Sequence, residues 1–259
     1  MKRLLFVVSL LLTASYAPKL IAAPIPIDLS INASASFAVD SNPGIGDITH
    51  NSIMSIILGG VVSQTTVNDI AVSGSNPLAG QLTDINDGIA IDTNVAGGDA
   101  FAGGYFFDFN FALQNNSLTT AYLLSFVLSF DNLTSASGAD AYAESKILLF
   151  DAGNTEFFFS DLTTDTLFGD QKNGLSAGTF GITQTDNGSF AFDILLAAGV
   201  TSNFRGELQL EGMAGWPGGF GIDSFANVSL SAARPLDTPP PQIPLPASSW
   251  LFALGLVLI

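Results

Sequence analysis

Apolar side chains recur at every second position through long stretches of this chain, and that period decides what it can fold into. From Tyr105 to Gln114, Phe107, Phe109, Phe111 and Leu113 fall on one face, with Asp108, Asn110 and Gln114 on the other. From Tyr122 to Asp131, Leu124, Phe126, Leu128 and Phe130 share a face opposite Ser125, Ser129 and Asp131. Phe190, Phe192, Ile194 and Leu196 alternate in the same way, as do Leu208 and Leu210 against Glu207, Gln209 and Glu211. Successive side chains of a strand point to opposite faces, whereas no stretch between Ile25 and Ala233 carries long helical periodicity. Asn115-Asn116-Ser117 reads as the turn of a hairpin between the first two runs. Asp151-Ala152-Gly153-Asn154 and Asp186-Asn187-Gly188 read as breakers bounding later strands. Ten or so strands must hide their apolar faces, so the expectation over residues 24–233 is all-β: an antiparallel two-sheet β-sandwich, jelly-roll-like. Gly98-Asp99-Ala100-Phe101-Ala102 echoes Ala139-Asp140-Ala141-Tyr142-Ala143, as if two strands of one sandwich opened alike.

Charge narrows the partners. The 259 residues hold 23 acidic and 7 basic side chains, a formal net charge of −16. Beyond residue 23 only Lys146, Lys172, Arg205 and Arg234 are basic. Four cations cannot neutralise a phosphate backbone, so nucleic acid is not an expected partner. With no cysteine, disulfides, thiolate metal sites and thiol catalysis are excluded. A core with 21 phenylalanines to draw on needs no such staple at this size.

The ends differ from the middle. Lys2 and Arg3 precede the apolar run Leu4 to Leu12, so residues 1–23 read as a secretory signal peptide, with cleavage near Ala22 or Ala23. Between Arg234 and Pro246 stand Pro235, Pro239, Pro240, Pro241, Pro244 and Pro246. Residues 234–242 are therefore expected to form an extended polyproline spacer of ~3.1 Å per residue. After it, Ile243-Pro244-Leu245-Pro246-Ala247 is followed by Trp250-Leu251-Phe252 and Gly255 in an apolar run. The prolines keep a helix from extending backward, and Trp250 suits a membrane interface.

Residues 243–259 resemble the PEP-CTERM class of C-terminal sorting signals, most closely its VPLPA variant. The resemblance implies export, an apolar C-terminal helix in the membrane, and recognition by an exosortase-type enzyme through Pro244, Leu245, Pro246, Ala247 and Trp250. It also implies the cell envelope or extracellular matrix of a Gram-negative-type bacterium, with extracellular polysaccharide as a partner. The family's basic tail is missing here, and Ala247 to Ile259 would span only roughly 20 Å at 1.5 Å per residue. The expectation is thus a chain that stops short of its natural signal.

Chemistry is sparse in between. A Ser-His-Asp hydrolase would need His50, the one histidine, which lies in the loop-like Gly46-Asp47-Ile48-Thr49-His50-Asn51 and reads as a solvated surface residue. Glu207 and Glu211, four apart on a strand, would be about 13 Å apart at ~3.3 Å per residue, too far for a glycosidase pair. The expectation is therefore no enzyme and no obligatory cofactor. Calcium is the best of the metal readings: Asp84, Asn86 and Asp87 form an acidic loop, though not with EF-hand spacing. Trp216, in Gly215-Trp216-Pro217-Gly218, is the candidate glycan platform, against the plainer reading that it plugs an end of the sandwich. The competing function is thus a glycan-binding or glycan-cleaving sandwich.

Overall fold

The computed structural model describes residues 23–39 and 45–236. The expected signal peptide (all but Ala23), most of the spacer, and the sorting signal with Pro244, Leu245, Pro246, Ala247 and Trp250 lie outside the described residues. Among the described residues the structure is all-β, with two antiparallel sheets in a sandwich-like arrangement built from fourteen strands. Among them no helix is long and apolar enough to cross a membrane.

The arrangement hangs on β6 (Gly88–Asn115), whose 28 residues serve both sheets. Its first part lies between β2 (Ile45–Leu58) and β14 (Gly219–Leu236). From Tyr105 onward it lies between β1 (Leu29–Val39) and β13 (Thr201–Ala214). The first sheet extends past β2 through β3 (Val61–Asn68) and β4 (Ala71–Ser73), and past β14 through β7 (Ala121–Ser137) and β12 (Gln184–Leu196). The second adds β5 (Leu78–Gln81) beside β1. Beyond β13 it continues through β8 (Tyr142–Phe150), β9 (Glu156–Asp165), β10 (Gln171–Lys172) and β11 (Leu175–Ser176).

Odd-numbered side chains of β6 face inward on both parts. Ile89, Ile91, Thr93 and Val95 are buried under the first sheet; Tyr105, Phe107, Phe109, Phe111 and Leu113 are buried under the second. Across the gap, Phe111 meets Phe126 of β7 edge-on at 5.7 Å; within its own sheet it stacks on Phe204 of β13 at 4.6 Å. Burial of each such ring contributes roughly 1.5–3 kcal/mol. A polar row crosses this apolar layer. Ser52, Thr93, Ser224 and Asn132 stand side by side on β2, β6, β14 and β7, all buried. Asn132 Nδ2 donates across the sandwich to Ser145 O (3.2 Å) and Ser160 Oγ (3.2 Å), and its Oδ1 accepts from Ser224 Oγ (2.8 Å). Each hydroxyl and amide of this row thus has a partner, which is the condition for its being there at all.

Three local expectations change. Asn115-Asn116-Ser117 does not close a hairpin: β6 and β7 are not paired, and the chain crosses there from one sheet to the other. The buried Asn115 side chain holds the crossing, its Nδ2 donating to Thr120 O (2.8 Å) and Ala197 O (3.0 Å) and its Oδ1 accepting from Ser117 N (3.0 Å). Asp186-Asn187-Gly188 breaks nothing: it lies inside β12, paired with Asn132, Asp131 and Phe130. Arg234, Pro235 and Leu236, read as the start of the spacer, prolong β14 against Leu123, Tyr122 and Ala121. There β14 pairs with β7 alone, and a free edge is where a strand tolerates proline. The echoed Asp99 and Asp140 both adopt φ 52°; Asp140 precedes β8, whereas Asp99 lies within β6, between its two pairing halves.

Replacing Phe111 by alanine is expected to cost roughly 3–5 kcal/mol, read as a lowered urea midpoint. Phe168→Ala, at a ring 83% exposed, should stay within about 0.5 kcal/mol of the parent. Equal losses would mean the core does not lie between these two sheets.

Candidate functional site

His50 is not the solvated loop residue its neighbours suggested. It sits on β2, 1% exposed, with Tyr105 4.2 Å and Phe37 5.6 Å from its ring centroid. The segment around it is strand because it pairs with the first part of β6, His50 opposite Val95. Nδ1 lies 2.5 Å from the carbonyl oxygen of Asp69. That oxygen can only accept, so Nδ1 carries a proton. Ser52 Oγ lies 2.5 Å from Nε2 and 2.6 Å from Thr93 Oγ1, and can give its one proton to either. If it donates to Nε2 the ring is neutral; if it donates to Thr93, either Thr93 Oγ1, 3.4 Å from Nε2, donates to a neutral ring or Nε2 carries a proton of its own. Burial favours the neutral ring and pulls its pKa below the usual 6.5, against the opposing pull of the Asp69 backbone contact and charge.

Serine and histidine in contact invite comparison with a hydrolase, and the geometry rejects it. Ser52 is 3% exposed, and the Asp69 carboxylate accepts from the His50 backbone amide (3.3 Å) rather than from the ring. No substrate can approach, and no carboxylate orients the imidazole.

The acidic loop is a structural knot. The Asp87 carboxylate, buried, accepts from the amides of Gly59 (2.9 Å), Thr83 (2.8 Å) and Asp84 (2.9 Å). Asp84 Oδ2 accepts from Thr83 Oγ1 (3.1 Å), while Asn86, at φ 75°, donates its amide to Leu230 O. Among the described residues no group of three or more His, Asp or Glu side chains is placed to hold a metal ion.

Glu207 and Glu211 do share the outer face of the second sheet. Glu207 pairs with Arg205 and accepts from Gln209 Nε2 (2.8 Å); Glu211 accepts from Tyr142 OH (2.6 Å). Glu144, opposite Glu211 in the ladder, is bridged by Lys146 at 2.7 Å. Burial and the Glu211 hydrogen bond push the Tyr142 hydroxyl well above its ordinary pKa. The Asp161 carboxyl, facing Lys146 in the ladder, is also raised, chiefly by burial.

Trp216 does not plug the sandwich: its ring is 81% exposed on the connection between β13 and β14. The connection itself is tightly packed. A Cβ on Gly218 would lie 2.5 Å from Gly215 O and 3.0 Å from Ser137 O, so only glycine fits there.

An open cleft of about 410 Å³ lies elsewhere, at the opposite end of β13. Phe157, Phe192, Phe204 and Ile194 give it an apolar floor, and Asp151, Asp193, Ser202 and Asn203 give it a polar rim. The rings interlock, Phe192 against Phe157 at 5.1 Å and edge-on to Phe204 at 5.2 Å. Asp151 Oδ1 accepts from the amides of Gly153 and Thr155 (both 2.8 Å), shaping the β8–β9 turn. Arg205 lies over the Phe150 ring at 4.0 Å and donates to Asn154 Oδ1 (2.7 Å), fastening that turn to β13. Sequence reasoning passed over these residues because each is unremarkable alone: the cleft forms only when a β12 edge, the start of β13 and a turn meet.

The class that this architecture defines is a two-sheet, all-β domain. No family model matches the chain, and no curated protein matches it. Among solved structures, the chain is similar to the VP2 subviral particle of infectious bursal disease virus at 11% identity, covering 91% of this chain and 74% of that one, with a TM-score of 0.19. A D431N mutant VP2 of the same virus, in T=1 particles, gives 12% identity, 93% and 72% coverage, and a TM-score of 0.18. Likeness at this level carries no argument about function.

Because the folded-state pKa of His50 is lowered, the unfolded chain binds the extra proton more readily. The contribution of His50 is therefore present above about pH 6.5 and is lost as pH falls below it. Urea midpoints measured from pH 7.5 to 5 should fall more steeply for the parent than for His50→Gln; parallel curves would show that His50 titrates as it does in the unfolded chain.

Proposed function

We propose that this protein is an exported, jelly-roll-like surface or extracellular-matrix component, delivered through an exosortase-like sorting system. The observation that carries the reading is the pair of terminal signals: Lys2-Arg3 with its apolar run at one end, and Ile243-Pro244-Leu245-Pro246-Ala247 with its apolar run at the other. Pro244, Leu245, Pro246, Ala247 and Trp250 are the residues that the sorting enzyme would read, and the C-terminal run would hold the chain at the membrane until it acts. The role in the matrix is structural or adhesive rather than catalytic. Two features of the domain support it. Its single histidine is enclosed by aromatic rings with a buried serine, and Glu144, Glu207 and Glu211 on the second sheet are engaged by Lys146, Arg205 and Tyr142. An acidic surface suits a protein that must remain dispersed in a hydrated matrix.

Expressed in a host that carries an exosortase, with a basic tail added after Ile259, the protein is expected in the envelope or matrix fraction. The double substitution Pro244→Ala and Pro246→Ala should shift it to the periplasm or inner membrane, read by fractionation and immunoblotting. Unchanged distribution of the double variant would defeat the sorting assignment.

A further inference from the structure

We propose that the cleft floored by Phe157 and Phe192 is a binding site for neutral glycans. The proposal goes beyond the sorting route and concerns what the domain holds once it is outside the cell. It begins with the two kinds of surface that meet there. Phe157 and Phe192 are half-buried, so their rings remain partly open to the cleft, while Phe204 behind them is 1% exposed and fixes their positions. Asp151, Asp193 and Asn203 are exposed at the rim, with Ser202 half-buried beside them. A pyranose ring has the same division: one face of C–H groups, which packs against an aromatic ring, and an edge of hydroxyls, which donate to carboxylates and exchange hydrogen bonds with amides. The volume, about 410 Å³, lies within the ~300–1,000 Å³ typical of small-ligand sites.

Charge selects among occupants. Asp151 and Asp193 stand at the rim, and the nearest cation described, Arg205, pairs with Glu207 and Asn154 and lies over Phe150. An anionic lipid head, a phosphate or a uronic acid would therefore meet uncompensated like charge, whereas a neutral sugar would not. The site is also built before any ligand arrives. The β8–β9 turn is closed by the Asp151 carboxylate and tied to β13 by Arg205, so little chain needs ordering on binding. β12 contributes Phe192, Asp193 and Ile194 from an edge that pairs only with β7. Near the cleft the side of β12 turned away from β7 has no neighbouring strand to pair with, so its backbone groups can meet hydroxyls.

The test uses purified full-length protein and neutral gluco-, galacto- and manno-oligosaccharides, with an oligouronate of equal length as the charged comparison, followed by titration calorimetry and saturation-transfer NMR. At least one neutral oligosaccharide should bind, and the oligouronate roughly tenfold more weakly. Asn203→Ala and Phe157→Ala should each weaken binding about threefold to tenfold, and Asn203→Trp should block it. Asn203 is exposed, so its variants should keep the parent's urea midpoint, which separates a lost site from a lost fold. Binding equal for neutral and charged sugars, binding indifferent to both positions, or no binding by any neutral sugar would overturn the proposal. So would self-association abolished by Asn203→Trp, which would give the cleft to a second copy of the chain. None of these outcomes bears on cellular location, so failure here and failure of the sorting assignment can be told apart.

Discussion

Everything else in the molecule follows from β6 being shared between two sheets. A strand that serves both must keep the same side chains inward along its whole length, because a slip of one residue would turn every core residue toward water. Residues 89–95 and 105–113 keep one parity, although the strand changes neighbours between them. Asp99, at φ 52°, lies in that interval. The β13–β14 connection spans the same change of sheets, since Ala214 pairs with Ala100 and Phe220 with Gly97. Strand β6 and this connection together commit both sheets to one register.

The inward polar row has a cost that the apolar core does not. A hydrogen bond gains only about 0.5–1.5 kcal/mol net, whereas a buried group left unpartnered loses about 1–3 kcal/mol. Ser52, Thr93, Ser224 and Asn132 are therefore tolerable only when β2, β6, β14 and β7 are aligned as they are, since any other register separates them. An apolar layer alone would accept several alignments of such similar strands. The row works against the alternatives more than it stabilises the fold. His50, two residues from Ser52, extends the same network to Asp69 in the connection between β3 and β4.

Much of this was legible in the sequence, and the failures share a cause. Alternation correctly assigned the buried faces of Tyr105–Gln114, Tyr122–Asp131 and the strand carrying Leu208 and Leu210, because a period of two needs no tertiary information. Turn chemistry misled at Asn115 and at Asp186–Gly188. Asparagine and aspartate bond to nearby backbone whether the chain reverses, crosses between sheets or continues, so composition marks a polar node and not its geometry. The glycines on either side of Asp99 hid the continuity of β6 for the same reason. His50 was misread because a single polar residue among Gly, Asp, Thr and Asn looks solvated, and its aromatic enclosure comes from β1 and from the distant half of β6. The cleft was illegible on the same grounds, and Trp216, whose plainer reading was a plug for the sandwich end, is exposed instead.

The surface and the cleft constrain partners in the same direction. Of the four described cations, Lys146, Lys172 and Arg205 are paired with Glu144, Asp186 and Glu207 on their own chain. Exposed pairs of this kind contribute little to stability, but they remove nearly all the positive charge that could attract an anionic polymer. What remains outward is a field of carboxylates, which like-charged chains avoid and neutral ones do not feel. A protein with this surface, placed among mixed polysaccharides, would sort them by charge before any pocket is reached. The aromatic floor between Asp151 and Asp193 would then discriminate by shape among those that the field had admitted.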